Sequence, residues 1–73
     1  MNLSDAKALL AEALQVAPAT LGDEARLGAV EAWDSLAHMR LILAIEEKRG
    51  APLDAETAAG IESLADIARV LAL

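Results

Sequence analysis

Trp33-Asp34-Ser35-Leu36-Ala37-His38-Met39-Arg40-Leu41-Ile42-Leu43-Ala44-Ile45-Glu46-Glu47-Lys48-Arg49-Gly50 is the stretch on which the fold turns. Asp34 is a natural N-cap. Lys48 and Arg49 fall in a last turn, where cations are favoured. Gly50 suits the residue after a helix, and Pro52 blocks continuation. The spacing therefore predicts a helix over Ser35 to Arg49. At about 100° per residue, His38, Leu41, Ile42 and Ile45 share one face. Leu36, Met39 and Leu43 fall nearly opposite, with Arg40 and Glu47 beside them. A helix in a small bundle needs one apolar stripe, and this one has two. A helix buried on both sides would account for the pattern, but few other elements remain to cover a second stripe. The second stripe is read as an exposed apolar patch of the kind that marks interaction sites.

On either side of this helix the chain again reads as helix. Ser4 is a plausible cap for a first helix over Ser4 to Val16, with Asp5 at its positive end. Ala6, Leu9, Leu10, Ala13, Leu14 and Ala17 form its apolar stripe. Pro18 opposes continuation past Ala17. A long connection, Pro18 to Trp33, follows, and Leu21 to Arg26 is compatible with a short helical turn. Loops of this length are functional or disordered; Leu21, Leu27 and Val30 are apolar anchors that argue for one packed down. After Gly50, Asp54 caps a short third helix, Ala55 to Ala59, ended by Gly60. The last helix runs from Leu64 to Ala72, with Ser63 and Asp66 as a capping-box-like pair. The expectation is an all-α fold, a small bundle of three main helices plus one short helix, in one domain over residues 1–73.

Composition agrees. Ala and Leu dominate and β-branched residues are few, which favours helix. Trp33 is the only aromatic residue, so the core must be aliphatic. Trp33 itself reads as a lid packed over the loop, His38 as a partly buried polar residue near it, and Arg26 and Arg69 as solvated. A chain of 73 residues is too small for a deep pocket with its own catalytic constellation. The net charge of −6 opposes nucleic-acid binding and suits solubility or a partner with a basic patch. With no Cys, disulfides, thiolate metal sites and a protein-borne thiol nucleophile are excluded. The single His38 cannot build a metal site without carboxylate help. Asn2 to Ala6 shows no basic region leading into an apolar run, and no stretch approaches the roughly 20 apolar residues that span a bilayer. A cytoplasmic protein is expected.

Ser35 sits in the first turn of its helix, after a long loop, so its hydroxyl should be reachable. A helix N-terminus offers unpaired N–H groups and welcomes an anion. His38 lies one turn on, but no orienting acid or oxyanion hole is evident, which weakens a hydrolase reading. As a bare tripeptide, Asp34-Ser35-Leu36 is a weak signal. Followed by Met39, Leu41, Ile42, Ala44, Ile45, Glu46 and Glu47, it closely resembles the acyl carrier protein family. The resemblance covers nearly the whole chain, with helices and long loop in the family's order.

The resemblance implies that Ser35 bears 4′-phosphopantetheine, moved from coenzyme A by a phosphopantetheinyl transferase with Mg²⁺. Asp34 and Leu36 would flank the attachment site, Asp34 contacting the transferase. Leu36, Met39, Arg40, Leu43, Glu46 and Glu47 would meet partner enzymes. The absence of Cys fits a thiol that belongs to the arm. The implied role is a monomeric carrier, not an enzyme, that shuttles a thioester-bound acyl group between acyl-activating and acyl-transferring enzymes. Ala32 stands where many members have Gly, Arg49 where many have a core Phe, and His38 and Arg40 where the helix is usually more acidic. These departures point to a specialised lipid or secondary-metabolite pathway. Two alternatives remain: a helical adaptor without prosthetic group, and a peptidyl or D-alanyl carrier.

Overall fold

A computed structural model describes residues 3–72; the first part of the stretch read above for leader character, Asn2, lies outside them. The elements are α1 (Leu3–Leu14), a 3-10 turn (Pro18–Thr20), α2 (Ser35–Arg49), α3 (Ala55–Ala59) and α4 (Leu64–Leu71). α1 packs on both α2 and α4. Leu10, Leu41, Ile45, Ile61, Leu64 and Ile67 are fully buried at the centre, so the core is aliphatic as composition demands. No helix among the described residues is long and apolar enough to cross a membrane.

α2 and α3 have the expected bounds because their stop signals are local. The Asp34 carboxylate accepts the Ala37 N–H at 2.8 Å, and Asp54 does the same for Thr57 at 2.7 Å. Gly50 leaves α2 at φ 72°, a conformation that suits glycine.

α1 departs from expectation at both ends. It starts at Leu3, which places Ser4 inside the first turn and not at the cap. It ends at Leu14 and not Val16, because Gln15 turns left-handed at φ 61°. Gln15 N–H then reaches Glu12 C=O at 3.2 Å and Val16 N–H reaches Ala11 C=O at 3.0 Å. This is a Schellman ending, with Val16 folded back onto the core. A glutamine holds the place that usually belongs to glycine. Gln15→Gly should therefore raise stability by about 0.5–1 kcal/mol, read as a higher urea midpoint; a lower midpoint would show that Gln15 is not strained there.

The long connection is packed down, by Leu21 and Val30 as expected but not by the Leu27 side chain. The helical turn lies at Pro18–Thr20, upstream of Leu21 to Arg26, because proline presets its first residue. Leu21, Ala25 and Trp33 are buried and Val30 packs against the core, while Leu27 is 39% exposed. Leu27 anchors through its backbone: its N–H donates to Glu62 C=O at 2.8 Å, beside an antiparallel bridge between Arg26 and Ser63. Lys7 and Asp23 add an ion pair of 2.7 Å between α1 and the loop. Trp33, expected as a lid, is only 3% exposed and belongs to the core. An indole can be buried there because its N–H has a partner.

α4 stops at Leu71, one residue early. Its cap is half the expected box. Ser63 Oγ accepts the Asp66 N–H at 3.2 Å, but the Asp66 carboxylate accepts from Glu62 N–H at 3.0 Å and not from Ser63. Its other oxygen is held by Arg69 at 2.7 Å, one turn on. Burial disfavours the Asp66 charge, but hydrogen bonds with Glu62, Ser63 and Arg69 and the Arg69 charge outweigh it. The carboxyl is held below its ordinary 3.8. Such a group adds stability above its unfolded pKa, and that stability is lost as pH falls through the lowered folded value. Asp66→Asn keeps an acceptor for Glu62 but cannot ionise. Its urea midpoint should fall less than the native one between about pH 6 and about pH 3; equal falls would exclude Asp66 as a source of acid sensitivity.

Candidate functional site

The loop delivers the chain to α2 through a fixed geometry. Trp33 N–H donates to Val30 C=O at 3.0 Å, and Asp34 is extended at φ −99° and ψ −173°. Asp34 C=O then accepts the first helical bond, from His38 N–H at 2.8 Å. Ser35 is thus the first helical residue, and the N–H groups of Ser35 and Leu36 precede any helical partner. Ser35 is exposed, and its hydroxyl bonds to none of the described residues.

Beside Ser35 lies an open groove of ≈ 510 Å³. Asp34, Ser35 and His38 form its α2 side, Leu27, Gly28 and Trp33 come from the loop, and Ala59 from α3. Gly28 has φ 93°, and a Cβ there would meet nothing within 4 Å. Backbone conformation, not space, requires glycine at that point of the wall.

His38 uses both ring nitrogens. Trp33 Nε1–H donates to His38 Nδ1 at 3.0 Å. An indole N–H is only a donor, so Nδ1 must be unprotonated. Nε2 then carries the proton and donates to Ala58 C=O at 3.0 Å. The two rings stack with centroids 6.1 Å apart and planes 22° apart. Both ring nitrogens of His38 are thus engaged, one with Trp33 and the other with Ala58, and neither bonds to Ser35.

Along α2 the two expected stripes separate. Leu41 and Ile45 are buried, with Ile42 and His38 half-buried beside them. Leu36 is 57% exposed, and Met39 and Leu43 are each 64% exposed. Arg40 and Glu47 are exposed next to them. Glu46 differs: it is half-buried, and its carboxylate accepts Leu53 N–H at 2.7 Å. That bond ties the end of α2 to the segment leading into α3. Arg49 is half-buried too, its guanidinium donating to Pro52 C=O at 3.3 Å.

Sequence reasoning missed three groove walls, Leu27, Gly28 and Ala59, and the Trp33–His38 bond. One signal for the bond existed: the only indole of the chain needs an acceptor if buried, and His38 lies within reach of it.

The fold and site define a small helical carrier domain, with an exposed serine at the head of a helix. The family model for the phosphopantetheine attachment site matches residues 4–71, and the chain belongs to that family. Its prosthetic group is 4′-phosphopantetheine. The residues present fit that group: a reachable hydroxyl for the phosphodiester and two open amides for its charge. No relative among the curated proteins matches the chain.

Proposed function

We propose that Ser35 is the attachment residue and that the chain shuttles a thioester-bound acyl group between partner enzymes of a specialised lipid or secondary-metabolite pathway. The observation that carries this is the Ser35 hydroxyl: exposed, unbonded and first in α2, within a match to the attachment-site family. In the loading step, Ser35 Oγ forms a bond to the phosphorus that bears the pantetheine of coenzyme A. The pyrophosphate P–O bond breaks and 3′,5′-adenosine bisphosphate leaves. The hydroxyl proton passes to a base of the transferase, and Mg²⁺ offsets the pyrophosphate charge. Once attached, the arm supplies the thiol on which cargo is held. Asp34 fixes the start of α2, and so the place of Ser35, through its cap.

The exposed stripe of Leu36, Met39 and Leu43, with Arg40 and Glu47, is the surface assigned to partner enzymes. Glu46 contributes there only through the carboxylate oxygen that Leu53 leaves open. Exposed charge pairs are worth about 0.2–1 kcal/mol, so partner contacts of this kind are weak and salt-sensitive. That suits a shuttle that must leave after each transfer. A cytoplasmic location would supply the coenzyme A that loading consumes.

The test is intact mass after incubation with coenzyme A, Mg²⁺ and a broad-specificity phosphopantetheinyl transferase. A gain of one phosphopantetheine is expected. No gain, while a control carrier is loaded in the same mixture, would put the helical adaptor reading first.

A further inference from the structure

A hydrogen-bonded chain runs from the loop across α2 to α3: Trp33 Nε1–H to His38 Nδ1, then His38 Nε2–H to Ala58 C=O. Its position matters as much as its bonds. Trp33 and His38 both line the groove beside Ser35. Trp33 is also part of the continuous core that holds Leu41, Ile61, Leu64 and Ile67, each at most 1% exposed. The pair therefore stands between Ser35 and the aliphatic interior.

We propose that Trp33 and His38 seal the seam between α2 and α3, so that cargo carried from Ser35 stays in the external groove. His38 is then a positioning and specificity-determining residue, and the carrier suits short or polar acyl groups over long alkyl chains. The proposal rests on Ser35 as the attachment residue. For an alkyl chain to enter the interior, Trp33 must move and both bonds must break. The indole N–H would then face hydrocarbon without a partner, an arrangement that proteins avoid, and Ala58 C=O would keep only the long bond from Ile61 N–H at 3.4 Å. A close-packed core offers no compensating void. The groove itself has a polar side, Asp34 and Ser35, and an apolar side, Leu27 and Ala59.

The test loads the chain from acetyl-coenzyme A and, separately, from octanoyl-coenzyme A, using the transferase. Intact mass is read first, so absence of loading registers against Ser35 and not against the seal. Methyl NMR spectra of the two loaded forms are then compared. Expected are octanoyl-dependent shifts at Leu27 and Ala59, with Leu41 and Ile61 unmoved. His38→Ala removes both bonds and should let octanoyl loading shift Leu41 and Ile61. His38→Gln supplies an amide oxygen for the indole and an amide N–H for Ala58, and should restore exclusion. Circular dichroism confirms that each variant is helical. In the unloaded protein the Trp33 indole N–H should exchange with solvent about tenfold faster in His38→Ala than in the native chain or His38→Gln. Octanoyl-dependent shifts at Leu41 or Ile61 in the native chain, spectra of loaded His38→Ala that match the native ones, or equal indole exchange in all three proteins would overturn the proposal.

Discussion

Ser35→Ala is expected to abolish phosphopantetheine loading completely while leaving the fold as stable as before. The first half follows from the hydroxyl inventory. Besides Ser35 the chain has Ser4, Thr20, Thr57 and Ser63. Thr20 Oγ1 donates to Ala17 C=O at 2.7 Å, and Ser63 Oγ caps α4. Thr57 is half-buried within α3. Ser4 is exposed in the first turn of α1, so it is the control that matters: Ser4→Ala should load like the native chain. The second half follows from what Ser35 does not do. It caps nothing and its hydroxyl has no partner, so its loss leaves no group unsatisfied. Alanine in a first turn is at least as good a helix former, and stability should stay within about 0.5 kcal/mol. Loss of loading with an unchanged thermal midpoint would identify the acceptor. Residual loading of Ser35→Ala, lost on adding Ser4→Ala, would move the attachment to α1.

Much of this site can be read along the chain because its determinants are close together in sequence. Asp34 and Gly50 bound α2, Asp54 and Gly60 bound α3, and each pair acts through bonds spanning one turn. The exposed stripe of Leu36, Met39 and Leu43 follows from helical period alone. Where the chain hides its intentions, the cause is a contact between distant segments or an unusual residue in a familiar role. Gln15 ends α1 in a left-handed turn, and nothing about glutamine announces that. Leu27 looks like a core anchor, yet its backbone pairs with Glu62 and its side chain faces the groove. Glu46 looks like one more acid on a partner face, yet it satisfies Leu53 N–H across the α2–α3 connection. Trp33 looks like a lid until its bond to His38 shows how an indole can lie in an aliphatic core.

Leu41 and Leu43 put the two faces of α2 to the sharpest comparison, because the same substitution two residues apart should have opposite consequences. Leu41 is fully buried and Leu43 is 64% exposed. Leu41→Ala removes side-chain atoms from the centre of the core and leaves a cavity in the buried aliphatic cluster, a change that costs about 2–5 kcal/mol. A chain of this length has roughly 4–11 kcal/mol of total stability. The variant should therefore lose a large part of it, and its thermal midpoint should drop by more than about 10 °C. Leu43→Ala exposes no cavity and should change stability by less than about 0.5 kcal/mol. Its effect should fall on encounter: if the stripe docks the transferase, loading kcat/KM should fall about tenfold, mostly through KM. Native loading by Leu43→Ala would remove Leu43 from the transferase surface. A midpoint for Leu41→Ala close to native would mean that the aliphatic centre of the bundle is not what holds α2 in place. Because helix propensity is nearly the same for the two substitutions, neither result can be assigned to the backbone. The difference between them isolates what each face of α2 is for: one holds the helix against α1 and α4, and the other is left over for something outside the chain.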